Sequence, residues 1–260
     1  MRFAVLMKQV PAALSAPLQQ DYTLDRKRTE NITNPADVSA LNLAMACGRE
    51  TGAQVICLTM GPESAAQCLR EGALAGADEL YHICDAGIAG ADTYVTAKVL
   101  AAALRQLGPV DVVFCGRHSV DGETGQVGPE IAALLGYSCL SEVVDVLTLT
   151  PPALTLRTQA GNSAEEYRLR LPAVLCVSEC KAVPALPSLR ALRRANEMQV
   201  KTLTLAQLGL AGLSGRRASP TRVIAVRRKE HSRRKTVWLG ENAAQTLAAL
   251  LKTSGEKHNG

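Results

Sequence analysis

The sequence predicts an α/β fold, a doubly wound and mainly parallel sheet to which an antiparallel hairpin and a C-terminal arm are added. Three observations carry this. Short apolar runs rich in β-branched residues recur along the first half, helical periodicity fills the gaps between them, and beyond Gly136 the pattern turns to two-residue alternation. Parallel strands are buried on both faces and read as continuous apolar runs, whereas a hairpin with one wet face alternates.

Taken in order, the strands are FAVLM near residue 3, QVICLTM ending at Met60, ELYHI ending at Ile83 and VDVVFCG ending at Gly116. The intervening segments PADVSALNLAMACGRE, PESAAQCLREGALAG and ADTYVTAKVLAAALRQLG repeat apolar residues at helical spacing. Asp92 with Thr93 marks a capped helix start, and Gly108 with Pro109 a stop. Past Gly136, LTLTPPALTLRTQAGNSAEEYRLRLPAVLCVS reads as a hairpin across AGNS that feeds a final buried strand. From Pro184 the chain offers two helices, ALPSLRALRRAN and GENAAQTLAALLK with a cap near Glu241, separated by a basic connection. Too little apolar sequence remains there for an independent core. The expected division is an α/β domain at 1–183 and an arm at 184–260.

Composition excludes several classes. With 47% hydrophobic and 20% charged residues the chain can bury a core. At 3% aromatics it has few surfaces for stacking bases. The net charge of +5 gathers in Arg216, Arg217, Arg222, Arg227, Arg228, Lys229, Arg233, Arg234 and Lys235. Lacking interleaved aromatics, that cluster reads as a basic arm on an acidic protein partner, not as a nucleic-acid tail. MRFAVLMKQV reads as a first strand rather than a signal peptide, and VTAKVLAAAL is too short and too charged to span a bilayer, so a cytoplasmic protein without a membrane span is expected. The eight cysteines are scattered, mostly inside apolar runs, and no CxxC pair occurs. Reduced core thiols and no metal site are expected, Cys176 and Cys180 being poorly spaced for shared ligation. His82, His118, His231 and His258 lack an adjacent Ser or Cys nucleophile, so no catalytic residue is assigned.

The candidate site lies in FCGRHSVDGETGQVGPEIAALLG, where a buried strand ends at Cys115 and Gly116, a polar glycine-rich loop follows, and a helix starts near Gln126. Ligands of doubly wound sheets bind at the carboxyl ends of strands, where free N–H groups of a helix start favour phosphate. The loop is neither GxGxxG nor GxxxxGK[ST], and without a phosphate lysine it suits binding rather than phosphoryl transfer. Other strand ends carry Lys8 and Gln9, Asn34 and Pro35, and Met60 with Gly61 and Pro62. Lys8 suits a phosphate or a surface ion pair, and Asp121 a ribose hydroxyl or a loop cap.

In chain order, VLMKQVP, NPADVSALNLA, LTMGPESAAQCLREGALAGADE, GRHSVDGETGQVGPEIAALLG, RLRLPAVLCVSE and PALPSLRALRRA closely resemble electron-transfer flavoprotein beta subunits. The resemblance implies a Rossmann-like, adenine-nucleotide-binding fold, an alpha subunit completing a heterodimer, and a dehydrogenase of the acyl-CoA type as electron partner. It implies nucleotide contacts from Leu6, Lys8, Asn34, Pro35, Ala36, Asp37, Cys57 and Met60. The loop would add Gly116, Arg117, His118, Ser119, Val120, Asp121, Gly122, Glu123, Thr124, Gly125, Gln126 and Val127. The nucleotide is FAD in bifurcating members and AMP in simpler ones. DGETGQVGP is more similar to the bifurcating form, so FAD is expected, with AMP as the alternative. Leu189 matches the leucine with which the family plugs into its dehydrogenase, although Pro184 and Ala185 stand where family members usually show Pro-Arg. The competing reading is a stand-alone adenine-nucleotide module of the universal-stress type, whose glycine-rich loop comes late in a shorter domain. An ATP-pyrophosphatase is excluded, because MKQVPAAL cannot serve as an SGGxDS loop.

Overall fold

The computed structural model describes residues 1–12, 30–161, 163–178, 186–221, 224 and 242–255. Strand β1 (Arg2–Met7) is followed by the short β2 (Gln9–Pro11) and β3 (Asn31–Thr33), which pair antiparallel with each other. Then come α1 (Pro35–Thr51), β4 (Gln54–Met60), α2 (Leu69–Ala75), β5 (Glu79–Ile83), α3 (Thr93–Gln106), β6 (Val112–Gly116) and α4 (Val127–Leu135). Strands β7 (Ser138–Thr150), β8 (Ala153–Ala160), β9 (Ser163–Arg170) and β10 (Ala173–Val177) follow, then α5 (Leu189–Glu197), β11 (Val200–Leu203), the single turn α6 (Gly215–Ala218) and α7 (Ala243–Gly255).

Nine strands form one sheet in the order β11-β5-β4-β1-β6-β10-β7-β8-β9. Pairing is parallel from β11 through β7 and antiparallel from β7 to β9. The expected doubly wound sheet is therefore present. After β1 the chain winds outward through β4 and β5, then returns to place β6 on the other side of β1. That reversal makes a crevice between the carboxyl ends of β1 and β6, where such sheets bind ligands.

The unbroken apolar strands serve two cores at once. Phe3, Val5, Phe114 and Leu175 face Leu41, Ala44 and Met45 of α1 and Leu69 and Ala73 of α2. Alternate residues Ala4, Leu6, Ile56, Leu58 and Val113 face Val99, Leu100 and Leu104 of α3 and Ile131 of α4. Phe3 and Phe114 meet edge to face across neighbouring strands, ring centroids 5.6 Å apart. Asp92 caps α3 by accepting from the Val95 N–H at 3.0 Å, as its sequence position predicts. Gly108, the expected stop, has φ +92°.

Three features differ from the sequence reading. The segment PESAAQCLREGALAG is a 3-10 turn over Glu63–Cys68 and only then helix α2, because Ala65 and Cys68 are both buried at the three-residue spacing of the tighter helix. The alternating segment holds two tight reversals, one at Pro151 and Pro152 and one at Gly161, so β7, β8 and β9 form a three-stranded meander rather than a single hairpin. Past the expected boundary at 183, the first compact unit continues to Ile224 and contains α5, β11 and α6, while residues 225–260 form a second. Strand β11 pairs parallel with β5 in the main sheet, and Lys201 holds it there through Glu79 Oε2 at 2.6 Å and the Tyr81 ring.

In the second unit the described residues form α7, where the sequence places its last helix. Its cap at Glu241, Cys180, Pro184, Ala185, His231, His258 and the basic residues other than Arg216 and Arg217 lie outside the described residues. Among the described cysteines, all free thiols, five are buried, Cys84 is half-buried and Cys139 is exposed. No helix among the described residues is long and apolar enough to cross a membrane.

Helix α4 approaches the sheet so closely that a Cβ on Gly128 would collide with Cys176 Sγ and stand 2.9 Å from Cys115 Sγ. Both thiols sit on paired central strands that cannot retreat. Gly128→Ala should therefore cost about 1–3 kcal/mol, the usual penalty of overpacking a filled core. A urea titration monitored by far-UV circular dichroism measures it, and an unchanged midpoint would mean that α4 is free to lift.

Candidate functional site

Helix α1 begins where β1 and β6 end, and its first turn ties the two strands together. Asp37, the third residue of the helix, accepts the Lys8 N–H on Oδ2 at 2.8 Å and the Gly116 N–H on Oδ1 at 2.9 Å. It is 6% exposed. Its neighbour Asn34, 1% exposed, gives its amide to the His118 carbonyl at 2.9 Å and accepts the Val120 N–H at 3.2 Å. The helix start thus fixes both the strand ends and the loop after β6. Gly116 is required here by close approach, since a Cβ would collide with Asp37 Oδ1 and Ala36.

The loop has its own frame. Ser119 O accepts the Gly122 and Glu123 N–H groups at 3.3 and 2.8 Å, and Glu123 and Gly125 take left-handed φ values of +49° and +63°. Lys8 Nζ reaches across to Asp121 Oδ1 at 2.6 Å and Ser119 Oγ at 2.9 Å. This is an ion pair, with the Lys8 side chain 43% exposed and the Asp121 side chain buried. The buried carboxylate thereby has a charged partner.

Beside this loop lies a cleft of about 550 Å³, lined by Pro35 and Ala36 of α1, Arg117, His118 and Val120 of the loop, and the inner side of the meander. The meander brings Glu142, Val144, Gln159 and Gly161, β10 leads into Ser178, and α1 adds Ser39. Arg117 Nε meets Glu142 Oε1 at 2.5 Å, and Ser178 Oγ donates to Glu142 Oε2 at 2.6 Å.

Of the sequence-predicted site residues, Pro35, Ala36, Arg117, His118 and Val120 line the cleft, and Lys8, Asn34, Asp37, Gly116, Ser119 and Asp121 are joined by hydrogen bonds among themselves and to the His118 and Val120 backbone. Leu6 is buried on β1 against the α3 and α4 side, and Met60 is the half-buried last residue of β4. Cys57 is fully buried among α2 contacts, pressed on Gly72, and burial pushes its thiol far above the ordinary range, so its sulfur is an inert core atom. Leu189 stands elsewhere, at the start of α5 and 77% exposed. Among the described residues no cluster of three or more His, Cys, Asp or Glu has metal-binding geometry.

Sequence reasoning missed Ser39, Glu142, Gln159, Gly161 and Ser178. Ser178 carried a usable signal, as a polar residue directly after a buried parallel strand. Glu142 and Gln159 carried none, because long-range pairing alone brings the meander over the loop.

The fold and this site define a doubly wound α/β protein whose polar loops converge at its topological switch point. Residues 21–208 match the family described as the electron transfer flavoprotein domain. Over 264 residues, 99% of both chains, the sequence is 34% identical to the electron transfer flavoprotein subunit beta of Thermoanaerobacterium thermosaccharolyticum. It is 35% identical over 227 residues, 86% of both chains, to subunit CarD of the caffeyl-CoA reductase-Etf complex of Acetobacterium woodii. Protein FixA of Sinorhizobium fredii is 31% identical over 265 residues, covering 98% of this chain and 93% of its own. The chain belongs to the beta subunit and FixA family of electron transfer flavoproteins, and hence to flavin-based electron transfer.

Burial raises the Asp37 carboxyl from 3.8 to about 6, against the opposing pull of Asn34, the Lys8 and Gly116 N–H groups and the Lys8 charge. The folded value exceeds the unfolded one, so this group's contribution to stability is complete below 3.8 and lost as pH rises through about 6. A shift of about two units corresponds to about 3 kcal/mol. Asp37→Asn should remove that slope, so that between pH 4 and 7 the wild type loses stability relative to the variant by an amount of this order. Parallel urea midpoints across the range decide it, and identical pH slopes would refute the assignment.

Proposed function

We propose that the chain is the beta subunit of a heterodimeric electron transfer flavoprotein that holds an adenine nucleotide at the loop Gly116–Val127. The carrying observation is the clamp of Asn34 and Asp37, which spends buried polar groups on fixing the ends of β1 and β6 and the loop between β6 and α4. Pro35 and Ala36 bring the positive end of a long helix to the cleft wall, and that dipole favours an anion.

The nucleotide we assign is FAD, with AMP the alternative. Gly122 and Gly125 leave the loop open, and the cleft continues from Arg117 and His118 to Ser178, Gln159 and Gly161, giving room for a group longer than AMP. When bound, a flavin would supply the electron acceptor and donor, and the chain's residues would hold, orient and shield it. The alpha subunit and an acyl-CoA type dehydrogenase are the partners of this reading, and electron bifurcation is the activity that a second FAD would support. Purifying the chain with its alpha subunit, saturating with FAD and quantifying the extracted ligands tests it. Two FAD per heterodimer is the expected result, whereas one FAD with one AMP would make this subunit a structural nucleotide binder.

Leu189 is the proposed dehydrogenase contact. Its side chain and that of Leu186 are exposed, while Arg194 of the same helix bonds the Gly76 and Ala77 carbonyls and so holds α5 to the end of α2. An apolar anchor presented on a fixed helix is what an interface hot spot requires. Leu189→Ala should change the unfolding midpoint by less than about 0.5 kcal/mol, as expected for an exposed site. It should weaken dehydrogenase binding by about tenfold or more. Steady-state electron transfer at varied dehydrogenase concentration separates the two, and an unchanged apparent affinity would remove Leu189 from the interface.

A further inference from the structure

Glu142 has a backbone that its residue type does not favour. Strand β7 pairs Leu140 with Leu175 and Val143 with Val177, so Ser141 and Glu142 together oppose the single residue Cys176 in a β-bulge. Glu142 lies in the left-handed region with φ +59°, where glycine or asparagine is ordinarily found. A glutamate in that conformation is strained, and such strain concentrates where a side chain must be aimed. Here it places the carboxylate in the cleft wall, with one oxygen on Arg117 Nε and the other on Ser178 Oγ.

The ion pair to Glu142 keeps the half-exposed guanidinium of Arg117 beside the cleft wall, and the N–H donors of its planar fork remain its chemical resource for an anion. Arg117 lines the same cleft as Pro35 and Ala36, at the start of α1. An Arg fork and a helix start at one cleft both favour an anion, and the fork matches the two oxygens of a phosphate. Both oxygens of Glu142 are already occupied, so the carboxylate opposes that anion less than an unpaired one would.

We infer that Glu142 is a positioning residue that holds Arg117 to receive the second phosphate of an adenosine diphosphate moiety, a group that AMP lacks. This inference rests on the nucleotide site proposed above and deepens it, because it names how this chain would distinguish a dinucleotide from a mononucleotide. Ser178 is the second support of the same arrangement, and neither it nor Glu142 needs to touch the ligand.

The test uses the full chain purified with its alpha subunit and freed of nucleotide, titrated calorimetrically with AMP and with ADP. ADP should bind the wild type more tightly than AMP does. Glu142→Gln keeps the shape and loses the charge, and Glu142→Gly relieves the positive φ, so its fold is not at risk. In both variants the preference for ADP over AMP should fall about tenfold or more, as expected for loss of a charge-assisted contact. Arg117→Lys, which removes the fork, should lower the preference similarly, and adding Glu142→Gln to it should change little further. Wild-type protein that binds neither nucleotide would overturn the proposed function itself. Wild-type protein without a preference for ADP, or variants that retain it, would overturn only the role of Glu142.

Discussion

Three parts of the chain that are far apart in sequence meet at one carboxylate. Asp37 joins the end of β1, the end of β6 and the start of α1, and Asn34 extends the same tie into the loop. Backbone N–H groups at the ends of parallel strands have no ladder partner, so a buried acceptor must answer them. Burying a carboxylate is costly unless it is multiply hydrogen-bonded, and two backbone donors and the adjacent helix start offset only part of that cost here. Once Asp37 is in place, Gly116 must lack a side chain, the loop must leave β6 in one direction, and Lys8 comes within reach of Asp121.

A second constraint comes from the sheet. Strands β7 to β9 continue it antiparallel beyond β10, and the bulge at Ser141 and Glu142 interrupts the β7–β10 ladder beside the loop after β6. The cleft exists because this meander forms its far wall. Its polar residues are therefore drawn from β7, β8, the turn at Gly161 and the exit of β10, segments that a reading confined to the glycine-rich loop passes over. Among relatives, CarD is a subunit of a caffeyl-CoA reductase complex.

Much of the fold was legible because burial on both faces of a parallel sheet leaves a mark that no local context obscures. β1, β4 and β6 are largely apolar runs, and α1 and α3 carry apolar residues at helical spacing. Strand β11 was not legible: three of its four residues are exposed, so it has no burial pattern and owes its place to pairing with β5. The break between the 3-10 turn and α2 was hidden for the opposite reason, since Ala, Ser and Gln suit either helix and only packing selects the tighter one.

By itself the sequence determined the class of fold, the two-faced core, the loop at Gly116–Val127 and, through its ordered motifs, the family. These follow from hydrophobic period, turn chemistry and short motifs, all of which are local properties. Tertiary structure alone decided that Asp37 is a buried brace, that Leu189 is exposed, and that Glu142 pairs with Arg117 while accepting from Ser178. Each of those depends on contacts between residues tens of positions apart, and only the closed fold determines which side chains meet there.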